Sequence, residues 1–391
     1  MPHQTFDILI IGGGVMGSSI ACNLVNDGFK GQIAIFEKDP TYERSSTTLS
    51  AGGIRRQFST EVNVRMSQYS LSIFEKFGEL MEVKGEKPEI ELKPRGYLFL
   101  GNEKNWPLLV KHQRFQKSLG VDTQLLDMKE TLQIIPDLNP EGLVGSSYSP
   151  GDGYMDPYSV LQGYAKKARN LGVQYLYKEV VAVLKEGDRV SGIRTRDGET
   201  YPSPCVVNAA GPYAGEVGRM AGLEIPVVPV RRMVYICQPP RLFEYDLPLV
   251  IDTSGLYFRH EVGRHILTGK SRKEEPPGFN FDWDRQYFNE VIWPDIAFRI
   301  PLFDKLRLIR GWAGLYEVNQ WDNNAILGEH PELHGFFMAV GFSGHGLQQA
   351  PAVGRALSEL IRLGRYETVD VSSLGFERIF KGEKVLEEEV V

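Results

Sequence analysis

The chain starts with two short apolar runs, separated by a segment in which apolar residues have helical spacing. Residues 8–11 are all isoleucine or leucine, which is typical of a strand buried on both faces. Over residues 18–25 the apolar positions lie on one side of a helix, and residues 32–36 form a second strand-like run. The pattern predicts a βαβ unit at the start of the chain.

Three glycines lie between the first predicted strand and the helix. Gly12, Gly14 and Gly17 have the register G-x-G-x-x-G, which allows a tight turn, a close approach to a pyrophosphate and close packing of the helix. The helix N-terminus adds N–H donors for the phosphates. Glu37 follows the second strand, where a carboxylate accepts hydrogen bonds from a ribose 2'-hydroxyl. These residues predict a dinucleotide, with NAD and FAD both open; the alternative is a structural βαβ unit with an incidental glutamate.

Similar patterns continue along the chain. Helices are predicted over residues 63–80, 105–119, 157–171 and 350–363, and strands over residues 96–100 and 336–340. Between residues 173 and 210, the turn pairs Gly187-Asp188 and Asp197-Gly198 separate β-branched runs and predict hairpins. From about residue 226 to residue 310, aromatic-rich strands and proline-rich connections indicate a second domain.

A second glycine-rich segment, GFSGHGLQ, precedes the last predicted helix. Gly341, Gly344 and Gly346 surround His345. The helix that follows has a partially positive N-terminus, which suits a ligand that becomes negative. The alternative is a plain turn, although three glycines around one histidine exceed what a turn requires.

Composition narrows the class of protein. The 391 residues predict two domains, and 42% hydrophobic residues indicate a globular enzyme. The net charge of -6, without a basic stripe, argues against a nucleic-acid partner. The basic doublets Lys166-Lys167 and Arg231-Arg232 and the acidic end LEEEVV are expected to be solvated.

Cysteine spacing and apolar length predict the environment of the protein. Cys22, Cys205 and Cys237 have no metal-ligand spacing and form no disulfide framework, so we predict no metal site and a reducing compartment. The glycine motif begins close to Met1, which leaves no room for a presequence, and no apolar run approaches the ~20 residues that span a bilayer. We expect a soluble, cytoplasmic protein, with peripheral membrane contact left open.

Several motifs together resemble one family. The segments DILIIGGGVMGSSIACNL, DGYMDP, VVNAAGPYAGEV and GFSGHGLQQAPAVGRALSELI, together with Glu37, resemble the D-amino-acid oxidase superfamily of FAD oxidoreductases. Within it, STTLSAGGIRRQFS resembles the sarcosine, dimethylglycine and L-proline dehydrogenases. DTSGLYFR, GWAGLYE and SLGFERIFKGEKVLEEEVV are similar to a mitochondrial branch that is linked to assembly of respiratory complex I.

The resemblance implies an α/β fold. A doubly wound, glutathione-reductase-like FAD-binding domain is expected to be interleaved with an antiparallel-sheet α+β substrate domain. The FAD-binding segments are then residues 1–88, 150–225 and 311–391, the last with the C-terminal tail, and the substrate segments are residues 89–149 and 226–310.

The resemblance also implies FAD that is bound non-covalently. Leu49-Ser50-Ala51 occupies the position where some members attach flavin through a histidine, and no cysteine lies near GWAGLYE, where others attach it. The expected cofactor-binding residues are Gly12, Gly14, Val15, Met16, Gly17, Glu37, Lys38, Ser45, Ser46, Ser50, Ala51, Gly52, Gly53, Val181, Ala209, Ala210, Gly211, Gly314, Gly341, Ser343, Gly344, His345, Gly346, Leu347 and Gln348.

The reaction that the resemblance implies is hydride transfer to flavin N5 from the carbon beside the nitrogen of a secondary amine or imino acid. Arg55 is expected to pair with the substrate carboxylate, because a guanidinium offers bidentate pairing; the alternative is a structural ion pair with a nearby acid. Tyr257 and Tyr316 are expected to close the pocket, with Trp312 as a further candidate. His345 is expected to contact the flavin or orient the substrate.

Departures from the family pattern favour a dehydrogenase over an oxidase. Leu267 lies where sarcosine-oxidase-like members have a lysine that helps oxygen react, with Lys270 close by in sequence. Gln348 replaces a carboxylate-binding lysine of those members, and Tyr316 replaces an arginine of glycine oxidases. The alternative function is an assembly factor for respiratory complex I with structural FAD. Substrate, partner subunit, electron acceptor and peripheral contact to a respiratory membrane stay open.

Overall fold

The apolar run at the start of the chain forms the central strand of a large sheet. The structure is a computed structural model and describes residues 5–272 and 274–388. The strands, in chain order, are β1 (Ile8–Ile11), β2 (Ile33–Phe36), β3 (Gly53–Ile54), β4 (Tyr97–Gly101), β5 (Gln124–Leu126), β6 (Gly145–Ser149), β7 (Gly153–Tyr154), β8 (Gln174–Leu176), β9 (Val180–Glu186), β10 (Arg189–Thr195), β11 (Thr200–Pro202), β12 (Val206–Asn208), β13 (Val227–Gln238), β14 (Leu249–Ile251), β15 (Leu256–His260), β16 (Ile266–Lys270), β17 (Arg307–Asn319), β18 (Ile326–His330) and β19 (Leu333–Val340). The helices are α1 (Val15–Asn26), α2 (Glu61–Phe74), α3 (Phe77–Leu80), α4 (Trp106–Ser118), α5 (Met128–Ile134), α6 (Pro157–Asn170), α7 (Ala214–Met220), α8 (Arg285–Tyr287), α9 (Trp293–Arg299), α10 (Gly346–Leu363) and α11 (Glu377–Phe380).

The first sheet has nine strands, with the order β11-β10-β19-β12-β1-β2-β8 and with β9 and β18 paired to β10 and β19. Strand β1 pairs in parallel with β12 on one side and with β2 on the other. Its four residues are all buried because helices α1, α6 and α10 cover one face and apolar residues of β9, β10 and α7 cover the other. A strand without polar positions therefore suits this place.

The second sheet has eight strands, with the order β17-β13-β16-β15-β14-β4-β6-β5. Its pairs are antiparallel except for β14 and β4, and the long β13–β17 ladder runs from Val227 to Gln238 on one strand. Aromatic and aliphatic residues of this sheet pack against α9 in a separate core that includes Tyr235, Phe258 and Phe303. The aromatic-rich composition after residue 226 serves this second core.

The predicted α/β fold class is confirmed, while several element bounds differ from the prediction. The predicted helix over residues 63–80 is divided into α2 and α3, and α10 begins at Gly346 rather than at residue 350. The predicted boundary at residue 310 falls inside β17, which stays in the antiparallel sheet as far as Asn319. Spacing alone does not show how far a strand continues in its sheet.

The acidic C-terminal end is not solvated as expected. Glu387 is buried and accepts hydrogen bonds from Ser59 and Thr60, whereas Glu388 is exposed. The remaining tail residues, 389–391, lie outside the described part of the chain. The prediction was wrong for Glu387 because its partners lie more than 300 positions away in sequence.

No helix in the described ranges is both long and apolar enough to span a bilayer. Within the same residues, histidine, cysteine, aspartate and glutamate side chains form no cluster of three or more that is suited to a metal ion.

An ion pair fastens the C-terminal segment to the first sheet. Arg378 donates from Nε and Nη2 to the two carboxylate oxygens of Asp322, at 2.8 and 3.0 Å, and both side chains are buried. Asp322 follows β17, so the pair holds α11 against the turn between β17 and β18.

We expect Arg378→Ala to lower the free energy of unfolding by ~3–5 kcal/mol, because it leaves the buried carboxylate of Asp322 without its partner. Arg365→Ala is the control, since Arg365 pairs with Glu367 on the surface and its loss should cost below about 1 kcal/mol. Denaturant titration of the two variants measures the difference. Equal losses would contradict the role of the buried pair.

Candidate active site

The glycine motif brings the N-terminus of α1 close to the end of β1. A Cβ atom on Gly17 would lie 2.0 Å from the carbonyl oxygen of Gly12, so only glycine allows this approach. Gly14 is the N-cap of α1, and the Val15 amide donates to Thr47 Oγ1 at 3.4 Å. The first turn of a twelve-residue helix therefore points its amides at the space beyond Gly14.

Glu37 follows β2 and faces the same space. Its carboxylate accepts hydrogen bonds from the Gly13 and Asp39 amides at 2.8 and 2.9 Å. Burial raises the pKa of Glu37, and the two amides oppose this effect. The residue thus holds the glycine loop as well as presenting a carboxyl group to the cavity.

A cavity of about 750 Å³ extends from Glu37 to the antiparallel sheet. This volume is near the top of the range for ligand pockets and suits a large, elongated ligand. The predicted residues that line it are Gly12, Gly14, Val15, Met16, Glu37, Lys38, Ser45, Ser46, Ser50, Ala51, Ala209, Ala210, Gly211, Tyr257, Gly314, Tyr316, Gly344, Gly346 and Leu347.

Eight predicted cofactor residues do not line this cavity: Gly53, Ser343, His345 and Gln348 line an adjoining chamber, and Gly17, Gly52, Val181 and Gly341 line neither space. Gly17 contacts the Gly12 backbone instead, and Gly52 accepts a hydrogen bond from the Met155 amide. Val181 is replaced on the wall by its buried neighbour Val180, because side chains alternate along β9. The last of these four, Gly341, donates its amide to Glu317 Oε2 at 2.9 Å.

A chamber of about 80 Å³ adjoins the cavity at Tyr257 and Tyr316, which line both spaces. Its other walls come from the antiparallel sheet, from the segment that contains β3 and Arg55, and from the second glycine-rich segment with the start of α10. The residues found only in the chamber wall are Gly53, Arg55, Tyr97, Leu249, Ile251, Ser343, His345 and Gln348. Most of the predicted substrate residues therefore meet in one place.

Tyr316 packs directly on the second glycine-rich segment. Gly344 has φ +104°, and a Cβ atom there would lie 2.4 Å from the Tyr316 ring, so a side chain would displace the tyrosine. Burial raises the pKa of both Tyr316 and Tyr257, so their phenols stay protonated at neutral pH. The two tyrosines form an uncharged wall between cavity and chamber.

Arg55 is buried in the chamber wall. Its Nη1 donates to the Gln57 carbonyl oxygen, its Nη2 lies 3.4 Å from His345 Nε2, and its amide donates to Gln348 Oε1 at 2.8 Å. The guanidinium carbon lies 4.1 Å from the centroid of the Phe58 ring. The arginine is thus held in one orientation at the chamber.

His345 is the N-cap of α10 and is buried beside Arg55. Burial, with a further contribution from the Arg55 charge, lowers the pKa of His345 to about 3. The imidazole is therefore neutral at pH 7, with Nε2 placed to accept from Arg55. This state favours the expected orienting role.

Arg231 and Arg232 do not form the solvated surface that we expected. Arg231 Nε pairs with Glu275 at 2.8 Å, with side-chain exposures of only 11% and 3%. Arg232 lines the cavity with its guanidinium carbon 5.0 Å from the Tyr316 ring centroid, and its Nε has no hydrogen-bond partner among the described residues. Its position between the buried Val230 and Val234, at period two on β13, was a signal in the sequence that we missed.

Trp312 lines neither the cavity nor the chamber. Its Nε1 donates to the Leu49 carbonyl oxygen at 3.0 Å, so it holds the loop that forms the cavity wall. Glu317, which we had not predicted, does line the cavity. Burial raises the pKa of Glu317 to about 8, although the Gly341 amide opposes this. Its carboxyl group is therefore mostly neutral at pH 7.

A family model described as FAD dependent oxidoreductase matches residues 7–360. The chain belongs to this family of FAD-dependent oxidoreductases. Members of the family bind FAD, which fits a large cavity bordered by a glycine motif, the carboxyl group of Glu37 and a second helix N-terminus. The resemblance that we drew from the sequence is confirmed.

Relatives of this FAD-dependent oxidoreductase match along the whole chain. FAD-dependent oxidoreductase domain-containing protein 1 from Xenopus laevis is 36% identical over 428 residues, which cover 100% of this chain and 86% of the relative. The structure of L-proline dehydrogenase from P. horikoshii has a TM-score of 0.89 at 30% identity, covering 98% of this chain and 100% of that one. Glycine oxidase from Geobacillus kaustophilus has a TM-score of 0.83 at 26% identity, covering 95% and 98%.

We expect Glu37→Ala to weaken FAD binding by ~1.5–3 kcal/mol, because it removes the acceptor beside the ribose and releases the Gly13 amide. Titration of apoprotein with FAD, followed by flavin fluorescence, measures the dissociation constant. Glu61→Ala is the control, since Glu61 lies on the surface and pairs with Arg65. An unchanged dissociation constant for Glu37→Ala would remove its assigned role.

Proposed function

We propose that this FAD-dependent oxidoreductase oxidises the C–N bond of a small secondary amine or imino acid that carries a carboxylate. The observation that carries the proposal is the chamber, which adjoins the cofactor cavity and holds Arg55 and a neutral His345 against two tyrosines. A volume of about 80 Å³ admits only a small molecule, or a small part of a larger one.

Bound FAD supplies a hydride acceptor, and the chain supplies binding, orientation and exclusion of water. Arg55 offers its guanidinium to the substrate carboxylate, held in place by Gln57 and by packing on Phe58. Tyr257 and Tyr316 cover the substrate on the side of the antiparallel sheet and keep water from the reacting carbon.

The named activities of two relatives support this substrate class. L-proline dehydrogenase and glycine oxidase act on small amino acids, as their names state, and both share the fold over nearly the whole chain. The chamber differs from the oxidase patterns at two positions, since Tyr316 and Gln348 replace an arginine and a lysine of those oxidases. The identity of the amino acid is therefore open.

We further propose a dehydrogenase rather than an oxidase. Leu267 lies in an apolar cluster with Ala51, Tyr257 and Trp312, where the oxidase pattern has a lysine. Lys270, the nearest lysine in sequence, pairs instead with Asp295 at 2.6 Å. The charge that assists oxygen in sarcosine-oxidase-like enzymes thus has no counterpart at this position.

Anaerobic mixing with sarcosine and proline, which are secondary amines, tests the function directly, with dimethylglycine and glycine as tertiary and primary amines for comparison. We expect sarcosine or proline to bleach the flavin absorbance, and the reduced protein to reoxidise more slowly with oxygen than with a quinone. Faster reoxidation by oxygen would contradict the dehydrogenase assignment. Bleaching by none of the amines would contradict the substrate class and favour the alternative of an interaction protein with structural FAD.

Arg55→Ala should raise the effective barrier to flavin reduction by ~2–5 kcal/mol, because a buried substrate carboxylate loses its partner. The variant should still bind FAD. Arg55→Lys should recover only part of the rate, since an ammonium group lacks the planar fork. Stopped-flow reduction by the bleaching amine measures both.

Arg232→Ala is the matched comparison, because Arg232 is the other arginine beside Tyr316. A loss confined to Arg232→Ala would assign the carboxylate to Arg232 and contradict the role of Arg55.

A further inference from the structure

The C-terminal tail, residues 383–388, lies against the loop that carries Arg55. Trp321 Nε1 donates to the Glu383 carbonyl oxygen and Asn324 Nδ2 donates to the Val385 carbonyl oxygen, both at 2.6 Å. These bonds hold the tail along the turn that follows β17. The next residues in the tail reach the start of α2, a few positions after Arg55.

Glu387 is the buried carboxylate of this tail. It accepts hydrogen bonds from the Ser59 amide at 2.7 Å, from Thr60 Oγ1 at 3.0 Å and from Asn63 Nδ2 at 3.1 Å, with a further bond from the Ser59 hydroxyl. Ser59 follows Phe58, whose ring contacts both Arg55 and His345. The carboxylate thus lies directly behind the charged wall of the chamber.

The charges of Glu387 and Arg55 act on each other. Burial raises the pKa of Glu387, but the Ser59 hydrogen bonds and the positive charge of Arg55 outweigh burial and leave the pKa below its ordinary value. Glu387 is therefore ionised at neutral pH. Its negative charge also reaches His345, where it opposes the effect of Arg55. A buried guanidinium needs such a counter-charge, and the tail supplies it.

We propose that Glu387 acts on the substrate site through Arg55, by offsetting part of the charge of its guanidinium from behind the chamber wall. The tail then sets how strongly the chamber attracts a carboxylate. The inference rests on the proposed function only in placing a substrate carboxylate at Arg55.

The consequence is a moderated affinity for anions. With Glu387 ionised, a carboxylate that enters the chamber meets a guanidinium whose charge is already partly balanced. With Glu387 neutral, less of that charge is balanced, and the carboxylate meets it in a buried environment where Coulomb interactions are strong. Removing the negative charge while keeping the shape should therefore tighten anion binding.

The test uses the FAD-loaded protein and acetate, titrated while the flavin absorption spectrum is recorded. We expect Glu387→Gln to bind acetate at least about tenfold more tightly than the wild type. Glu387→Asp keeps the charge and should stay close to the wild type. Glu388→Gln is the matched control, because Glu388 is the exposed neighbour that pairs with Lys111.

Arg55→Ala checks where acetate binds and should abolish the spectral change. Retained flavin and thermal unfolding show that each variant is folded. If Glu387→Gln does not retain FAD, Glu387→Ala makes the same comparison, since it also removes the charge.

Three results would overturn the inference. The first is equal acetate affinity in the wild type and Glu387→Gln. The second is the same tightening in Glu387→Asp or in Glu388→Gln. The third is acetate binding that does not depend on Arg55, or no acetate binding in either the wild type or Glu387→Gln. None of these readouts requires turnover. Failure of the proposed amine oxidation would instead show as an unbleached flavin, with the shift in acetate affinity still present.

Discussion

The site depends on hydrogen bonds that join the loop of residues 45–51 to the antiparallel sheet. Arg259, on β15, donates from Nε and Nη2 to the Ala51 carbonyl oxygen at 2.9 and 2.7 Å. Trp312 donates to Leu49, and Ser46 Oγ donates to the Leu315 carbonyl oxygen at 2.6 Å. Buried backbone oxygens need such partners, so the two sheets are connected where the cavity lies between them. Tyr257 and Tyr316 belong to the same two strands as Arg259 and Trp312, and this connection fixes their distance from the loop.

The buried arginines form two groups, one that is paired inside the fold and one that faces the cavity and the chamber. Arg259, Arg299 and Arg378 each have a carboxylate partner and carbonyl acceptors, so their charges are neutralised within the fold. Arg55 and Arg232 differ because their side chains face the chamber and the cavity. Several ionisable groups beside them, His345, Glu317 and both tyrosines, are mostly neutral at pH 7, whereas Glu387 behind Arg55 is ionised. At low local dielectric the charges that remain interact strongly with a bound ligand.

Local sequence predicted the parts of the site that are local in the fold. The βαβ unit, Glu37 and the second glycine-rich segment depend on residues within about one supersecondary motif, where spacing carries the information. Family resemblance added Arg55 and the tyrosines. Glu387 and the function of Trp312 were missed because their partners are distant in sequence, and a residue by itself does not show which carbonyl or amide it will meet. Val180 rather than the predicted Val181 lines the cavity, because side chains alternate along β9.

The order of strands in the nine-stranded sheet has a consequence for biosynthesis. Strand β1 lies between β2, which follows it closely, and β12, which begins at Val206, while β19 and α10 come later still. A ribosome adds about 5–20 residues per second, so tens of seconds pass between the synthesis of the first glycine motif and that of the strand and helix that cover it. During that time the apolar residues of β1 have no parallel neighbour on one side. Cofactor capture is therefore expected to be a late step that follows chain synthesis, and the nascent N-terminal segment exposes an apolar strand edge until then.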